Sequence, residues 1–191
     1  MTKDKLDQLE SLIASRFAGL ERERSIDALI LRVTPENLLA TMTRLRDDPA
    51  LDFKQLIDLA GVHYPDREKS MEVVYQLLSV HKNHRLRVKV AVDESTPVPS
   101  VAGVWWSADW FEREAYEMFG ILFSGHPDLR RLLTDYDFEG YPMRKDFPLS
   151  GLTEVRYDLT LKRVIRQPVQ MVHPNREPYQ AAAVSTAPRN Q

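Results

Sequence analysis

Cysteine is absent from all 191 residues. That excludes disulfides and thiolate nucleophiles, and it leaves no ligands for an ordinary iron-sulfur cluster or a Cys-type zinc site. If the chain serves electron transfer, the electrons travel elsewhere. Long apolar runs are missing too: none approaches the roughly 18 residues of a membrane span. MTKDKLDQLE is charged from its third residue, so no signal peptide is expected and a soluble cytoplasmic protein is the expectation. The seven glycines are dispersed, with neither a GxGxxG fingerprint nor a P-loop, so nothing here cradles NADH or a flavin. Excess charge of one sign is lacking as well. The net charge is -2, and basic residues are scattered among acids, which argues against nucleic acid.

Histidines give no metal pattern. His81 and His84 have no third ligand nearby, His63, His126 and His173 are isolated, and there is no HExxH. His126, between Gly125 and Pro127, is expected to cap a turn or bond a neighbouring loop. Trp105, Trp106 and Trp110 flank a helix start and are expected to be core or interface anchors rather than a stacking site for a quinone ring.

What is present is a readable order of elements. Leu6, Leu9, Ile13 and Phe17 recur at helical spacing, predicting an amphipathic helix over 3–20 that ends near Gly19. Residues 25–33 read as a strand. Thr34-Pro35-Glu36 opens a second helix, with Leu38, Leu39, Met42 and Leu45 apolar, that stops near Asp48-Pro49. Residues 53–64 read as a strand, although Leu56, Ile57 and Leu59 fit a helix nearly as well. Residues 71–80 and 86–92 form a hairpin around a polar turn at 81–84. The expected fold class is α+β: a mostly antiparallel four-stranded sheet covered by helices on one face, with a long extended C-terminal segment.

The stretch from Ser107 to Leu149 differs from the rest in its density of charge and aromatics. Ser107 is a plausible N-cap, Asp109 and Glu112 oppose the helix dipole, and Gly120 suits the C′ position. Phe111, Ala115, Met118 and Leu122 fall on one face, and Asp109, Glu112, Arg113, Tyr116 and Glu117 face elsewhere. Beyond Gly125-His126-Pro127-Asp128, Pro142 and Pro148 stop regular structure and leave Arg130, Arg131, Arg144 and Lys145 on loops beside Asp128, Asp135, Asp137 and Asp146. Carboxylate pairs such as those of 109–117 can do acid and base work, which needs a pocket and shifted pKa values. A solvated or ion-paired helix face is the expected reading, and a free-standing hydrolase is the alternative.

Glu112-Arg113-Glu114, Glu117-Met118-Phe119, then His126, Arg130, Leu132 and Leu133 at these spacings resemble the signature of the C-subunit family of respiratory complex I, the proton-translocating NADH:quinone oxidoreductase. The likeness continues through Thr134-Asp135-Tyr136 and Arg144-Lys145-Asp146-Phe147-Pro148-Leu149, with Asp137 where glycine is expected and Tyr141 where histidine is expected. The resemblance implies a non-catalytic subunit of the peripheral arm that supports electron transfer from NADH to quinone coupled to proton translocation. No cofactor or metal is expected in this chain; flavin and iron-sulfur clusters are expected in partner subunits. The implied partner is chiefly the subunit that forms the quinone pocket, in a hetero-oligomer on the cytoplasmic face of a bacterial inner membrane, or the matrix side in a mitochondrion. Membrane contact would come only through the complex. A related membrane-bound nickel-iron hydrogenase-like complex is the alternative within the superfamily.

The residues expected to meet the neighbour are Glu112, Glu114, Arg130, Arg131, Arg144, Lys145 and Asp146 by charge, and Tyr116, Tyr136 and Phe147 as apolar anchors. The expected organisation is a globular domain over 1–123, a charged docking segment over 124–166, and an extended or disordered tail over 167–191. Within 153–165, Val155, Tyr157, Leu159 and Leu161 alternate loosely, so this piece is expected to be extended and able to add to another protein's sheet. Residues 168–179 are expected to lie on a partner, and the last dozen to be disordered.

Overall fold

Burial of Leu6, Leu9, Ile13 and Phe17, all at most 7% exposed, makes the first apolar stripe the inner face of a helix. The computed structural model describes residues 3–26 and 28–169. In it α1 spans Lys3–Arg16, with a final backbone bond from Phe17 N to the Ile13 carbonyl. The next strand, β1 (Glu21–Arg24), has no apolar residue and was not expected. Its Arg24 reaches back to Asp7 at 2.6 Å and Glu10 at 3.4 Å on α1, while Glu23 pairs with Arg32 at 2.8 Å. Charge and backbone bonding, not apolar alternation, hold this edge.

The strand expected over 25–33 is shorter. Ser25 N–H donates to the Ala28 carbonyl, leaving Ile26 exposed in a turn, and β2 is confined to Leu29–Arg32. Proline at the first turn begins α2 (Pro35–Asp47), whose Leu38, Met42 and Leu45 are buried. Then come β3 (Gln55–His63), β4 (Met71–Ser79) and β5 (His84–Val92), so 53–64 resolves as a strand and the β4–β5 hairpin forms as expected. His84 belongs to β5 rather than the turn, which is closed instead by Asn83 at φ 53°.

The sheet is five-stranded and mixed, in the order β1-β2-β5-β4-β3, correcting the four-stranded, mostly antiparallel expectation. β2 lies parallel to β5, with Leu31 opposite Val88. A parallel neighbour needs a long crossover, and α2, β3 and β4 lie between these strands in the chain. One face of the sheet, with Leu29, Leu31, Val73, Tyr75, Leu77, Val88 and Val90, joins the helices in a single apolar cluster. On the alternate positions Glu72 is held by Lys89 at 2.8 Å and Arg32 at 3.5 Å.

Past β5 a short parallel pair, β6 (Val98–Pro99) with β7 (Phe123–Ser124), brackets α3 (Ala108–Phe119). α3 packs along β3 at Gly61, where a Cβ would stand 2.6 Å from Phe119 Cδ2. The compact unit runs through Phe147, so the division expected after residue 123 falls instead at Phe147/Pro148. The second unit, by itself, is an antiparallel hairpin of β8 (Thr153–Asp158) and β9 (Arg163–Pro168), so 153–165 pairs with its own chain. Its register puts Val155, Tyr157 and Val164, each more than half exposed, on one face. β9 crosses the expected boundary at 167; the expected partner-bound and disordered parts of the tail lie almost wholly in 170–191, outside the described residues.

Candidate partner-binding surface

α3 keeps only part of the expected pattern: Ala115 is buried and Phe111 packs half-buried on the core, but charged residues are buried as well. Its buried residues are Ala108, Glu112, Arg113, Ala115 and Glu117, whereas Leu122, just beyond it, is 44% exposed. Three of these five are ionisable, so the expected solvated or ion-paired face is instead turned into the protein. Their partners are mostly backbone groups. Ser107 does not cap the helix; it has helical backbone angles, and its hydroxyl donates to the Leu56 carbonyl of β3 at 3.2 Å. Gly120 does take the expected left-handed C′ conformation, φ 77°.

Glu117 is the anchor of the following loop. Its carboxylate accepts the backbone N–H groups of Leu132, Leu133 and Thr134, at 2.8, 2.8 and 2.5 Å, and the Thr134 hydroxyl. Burial pushes this carboxyl up, but the Thr134 side chain and then the N–H groups outweigh it and hold the group below the ordinary range. One turn earlier Arg113 donates to the Arg130 and Arg131 carbonyls at 3.1 and 3.2 Å. Residues at i and i+4 share a helix face, so together they grip both polar sides of the 130–134 backbone.

Glu112 points to the other end of the cover. It accepts the Ser100 hydroxyl at 2.6 Å and Val101 N–H at 2.7 Å, with His126 Nε2 at 3.9 Å. Burial dominates and raises this carboxyl despite those bonds. The phenol of Tyr75 in the core is pushed well above its ordinary value, first by burial and then by the Glu112 charge. His126 accepts Asp128 N–H at Nδ1, which assigns its proton to Nε2, facing the Asp109 carbonyl at 3.1 Å. Of the two roles expected for His126, the structure shows the turn cap, through Asp128 N–H; its other nitrogen meets α3 rather than a neighbouring loop.

Farther along, Arg144 donates to the Phe119 carbonyl at 2.6 Å and to Glu94 at 2.8 Å, and its guanidinium lies 4.5 Å from the Tyr141 ring. Lys145 N–H donates to His63 Nδ1, and Met143 N–H to the Met118 carbonyl. The result is that 126–147 is stitched along α3 and β3.

The residues expected to meet a partner therefore divide. Glu112 is fully buried and Arg144 is 13% exposed at its side chain; both are internal fasteners, a correction to the expected interface. Tyr116 packs half-buried on the core, and Phe147 stacks on Phe138 with centroids 6.0 Å apart. Arg131 is half-buried, bonded to the Thr134 hydroxyl. Glu114, Arg130, Tyr136, Lys145 and Asp146 are exposed, joined by Leu133, noted in the sequence only as a motif residue, and by Met143, which the sequence did not single out. Arg113 and Glu117 were visible as motif residues on the charged side of the helix; their backbone partners, and the pairing of Arg144 with Glu94, had no sequence signal. Among the described residues no group of three or more His, Asp or Glu side chains is arranged to hold a metal ion.

The family model described as "Respiratory-chain NADH dehydrogenase, 30 Kd subunit" matches residues 31–153, which include α3 and the whole loop. The chain belongs to this family. Among its relatives, the C subunit of the NADH-quinone oxidoreductase of Methylobacterium sp. (strain 4-46) is 55% identical over 168 residues, covering 87% of this chain and 78% of the relative. The corresponding C subunit of Brucella abortus (strain 2308) is 53% identical over 173 residues, 90% of this chain and 86% of the relative. Among solved structures, a chain of the membrane-bound sulfane sulfur reductase, an archaeal respiratory membrane complex, superposes with TM-score 0.63 over 75% of this chain and 85% of that one. At 23% identity this is a likeness of fold. Within the motif, Arg113, Glu117 and Arg144 fasten the loop. No described helix is long and apolar enough to cross a membrane.

Proposed function

We propose that this chain is a non-catalytic subunit of the peripheral arm of NADH:quinone oxidoreductase, supporting electron transfer from NADH to quinone coupled to proton translocation by docking to the subunit that forms the quinone pocket. It works in a hetero-oligomer, bound peripherally at the cytoplasmic face of the membrane, with flavin and iron-sulfur clusters in other subunits. Family membership and the relatives from Methylobacterium and Brucella support this reading.

The observation that carries the docking role is the fastened loop. Leu133, Tyr136 and Met143 are 61%, 80% and 57% exposed on a segment whose backbone Glu117, Arg113 and Arg144 hold in place. A surface ordered in advance loses little entropy on binding. The β8–β9 hairpin, two strands with an uncovered apolar face, gains its stability by lying on the same neighbour, because an isolated two-stranded hairpin is marginal in water. Arg130, Lys145 and Asp146 supply charge. Where such a pair is desolvated, truncating one member costs about 2 to 5 kcal/mol.

The test is affinity purification of the tagged chain from gently solubilised membranes, with mass spectrometry and an NADH:quinone reductase assay. Flavin and iron-sulfur subunits with activity are expected, and they are lost with Tyr136→Ala combined with Leu133→Asp. A nickel-iron partner in their place, or a chain recovered alone, overturns the assignment.

A further inference from the structure

A pocket of about 340 Å³ lies beside the start of α3, lined by Ala102, Gly103, Trp106, Asp109, Gly125 and Pro127. Of its lining, the Asp109 carbonyl takes part in fastening the loop, through His126 Nε2; the Asp109 carboxylate and Trp106 do not. Trp106 is 91% exposed and Trp110, one turn on, is 63% exposed. Indoles are rarely left so bare, since each buries a large apolar area when covered. Neither Gly103 nor Gly125 has an atom within 4 Å of where a Cβ would stand, so the pocket walls there are open.

The charge at this pocket is unbalanced. Asp109 is 30% exposed at its side chain, and among the described residues no lysine or arginine nitrogen lies within 4.0 Å of its carboxylate. His126 Nε2 stands 3.1 Å from both the Asp109 carbonyl and Oδ1, but its single proton is directed at the carbonyl, and buried Oδ1 is left without a hydrogen bond. Arg113, one turn on, is engaged with the Arg130 and Arg131 carbonyls, Arg46 with Asp47 and the Val104 carbonyl, and Arg130 with Asp128. The helix dipole supplies about half a positive charge here, which offsets only part of a full carboxylate. Glu114, one turn beyond Trp110, adds exposed negative charge.

We propose that the Trp106–Asp109 pocket receives a cationic side chain, an arginine, from a neighbouring protein in the assembly, stacked on the indole and paired with the carboxylate. An anion would meet Asp109, and a purely apolar side chain would desolvate it unpaired. Arginine is preferred to lysine because its planar guanidinium stacks on an indole while its N–H groups bond a carboxylate. The inference rests on the chain working inside an assembly, as proposed above, but uses a different patch from Tyr136.

The experiment places a benzophenone-bearing amino acid at position 106 or, separately, at 136, in the tagged chain within the membrane-purified complex, and maps cross-linked peptides after irradiation. At 106, a peptide from one neighbouring protein with an arginine at its centre is expected, and Asp109→Asn lowers the yield at least fivefold without changing the yield at 136. Alanine in place of the identified arginine should have the same effect. Cross-linking at 136 but none at 106, a peptide with no cationic residue, or a yield indifferent to Asp109→Asn overturns the pocket assignment alone. Failure at both positions overturns the docking reading with it.

Discussion

Glu112 and Glu117 are both buried on α3 but point to sides about 140° apart, and their carboxyls are shifted in opposite directions. Glu117 is held below the ordinary carboxylate range. Its stabilisation is fully present above the unfolded-state value of about 4.3 and is lost as pH falls through the lowered one. Glu117→Gln should cost about 2 kcal/mol at pH 7, the worth of charge-assisted bonds to the loop. That difference should shrink toward pH 3 in urea unfolding; a difference that stays constant would remove the linkage. Glu112 has the reverse sign. Its folded-state value is raised, so its contribution is present below about 4.3 and declines as pH rises through the raised value. Glu112→Gln should therefore gain stability relative to the parent between pH 4 and pH 8, and a flat difference across that range would count against a buried, charge-penalised carboxylate. Arg144→Ala should destabilise the chain before any partner is involved, by about 1 to 3 kcal/mol, through the Phe119 and Glu94 contacts. An unchanged urea midpoint in the isolated chain would return Arg144 to the interface.

At the scale of elements, the contact between α3 and β3 sets where the loop can lie. Gly61 lets the Phe119 and Ile121 side chains sit against the strand, with a Cβ position 2.6 and 3.0 Å from them. Gly61→Ala should cost about 1 to 3 kcal/mol by overpacking and lower the melting temperature. A melting curve superimposable on the parent would mean that helix and strand separate more easily than this packing implies. The same element shows what sequence pattern conceals. Of the helical stripe Phe111, Ala115, Met118 and Leu122 only Ala115 is fully buried, and Glu112, Arg113 and Glu117 are buried as well. Periodicity assigns faces by transfer from water, and it fails where ionisable groups find backbone partners inside. β1 was invisible for the complementary reason: an edge strand of ERER is held by pairing and by α1, with no apolar residue to announce it.

For the whole molecule, the apolar cluster and the side chains packed on it fall, among the described residues, within 6–129, all inside the first unit. A chain ending at Phe147 should unfold with the same midpoint as the parent while losing most of its incorporation into the complex. Thermal unfolding and co-purification check the two halves of that statement, and a lower midpoint would mean that 148–191 supports the first unit. Under the docking proposal, the amphipathic hairpin, with Val155, Tyr157 and Val164 exposed, gains its order from a neighbour.

Local chemistry was sufficient for much of this. Helical spacing located α1 and α2, because burial repeats with the helical period; proline and Gly120 marked boundaries, and runs rich in Val and Leu around a polar turn found β4 and β5, while 53–64 was left between strand and helix. The unbroken run of motif residues from Glu112 to Leu149 was enough to indicate the family. The parallel placement of β2 beside β5, the inward turn of the charged face of α3, and the reach of Arg144 to Glu94 and of His63 to the Lys145 backbone were decided by tertiary structure. Those contacts join residues far apart in the chain, and a backbone N–H or carbonyl is the same at every position, so no residue identity announces which carboxylate will find it.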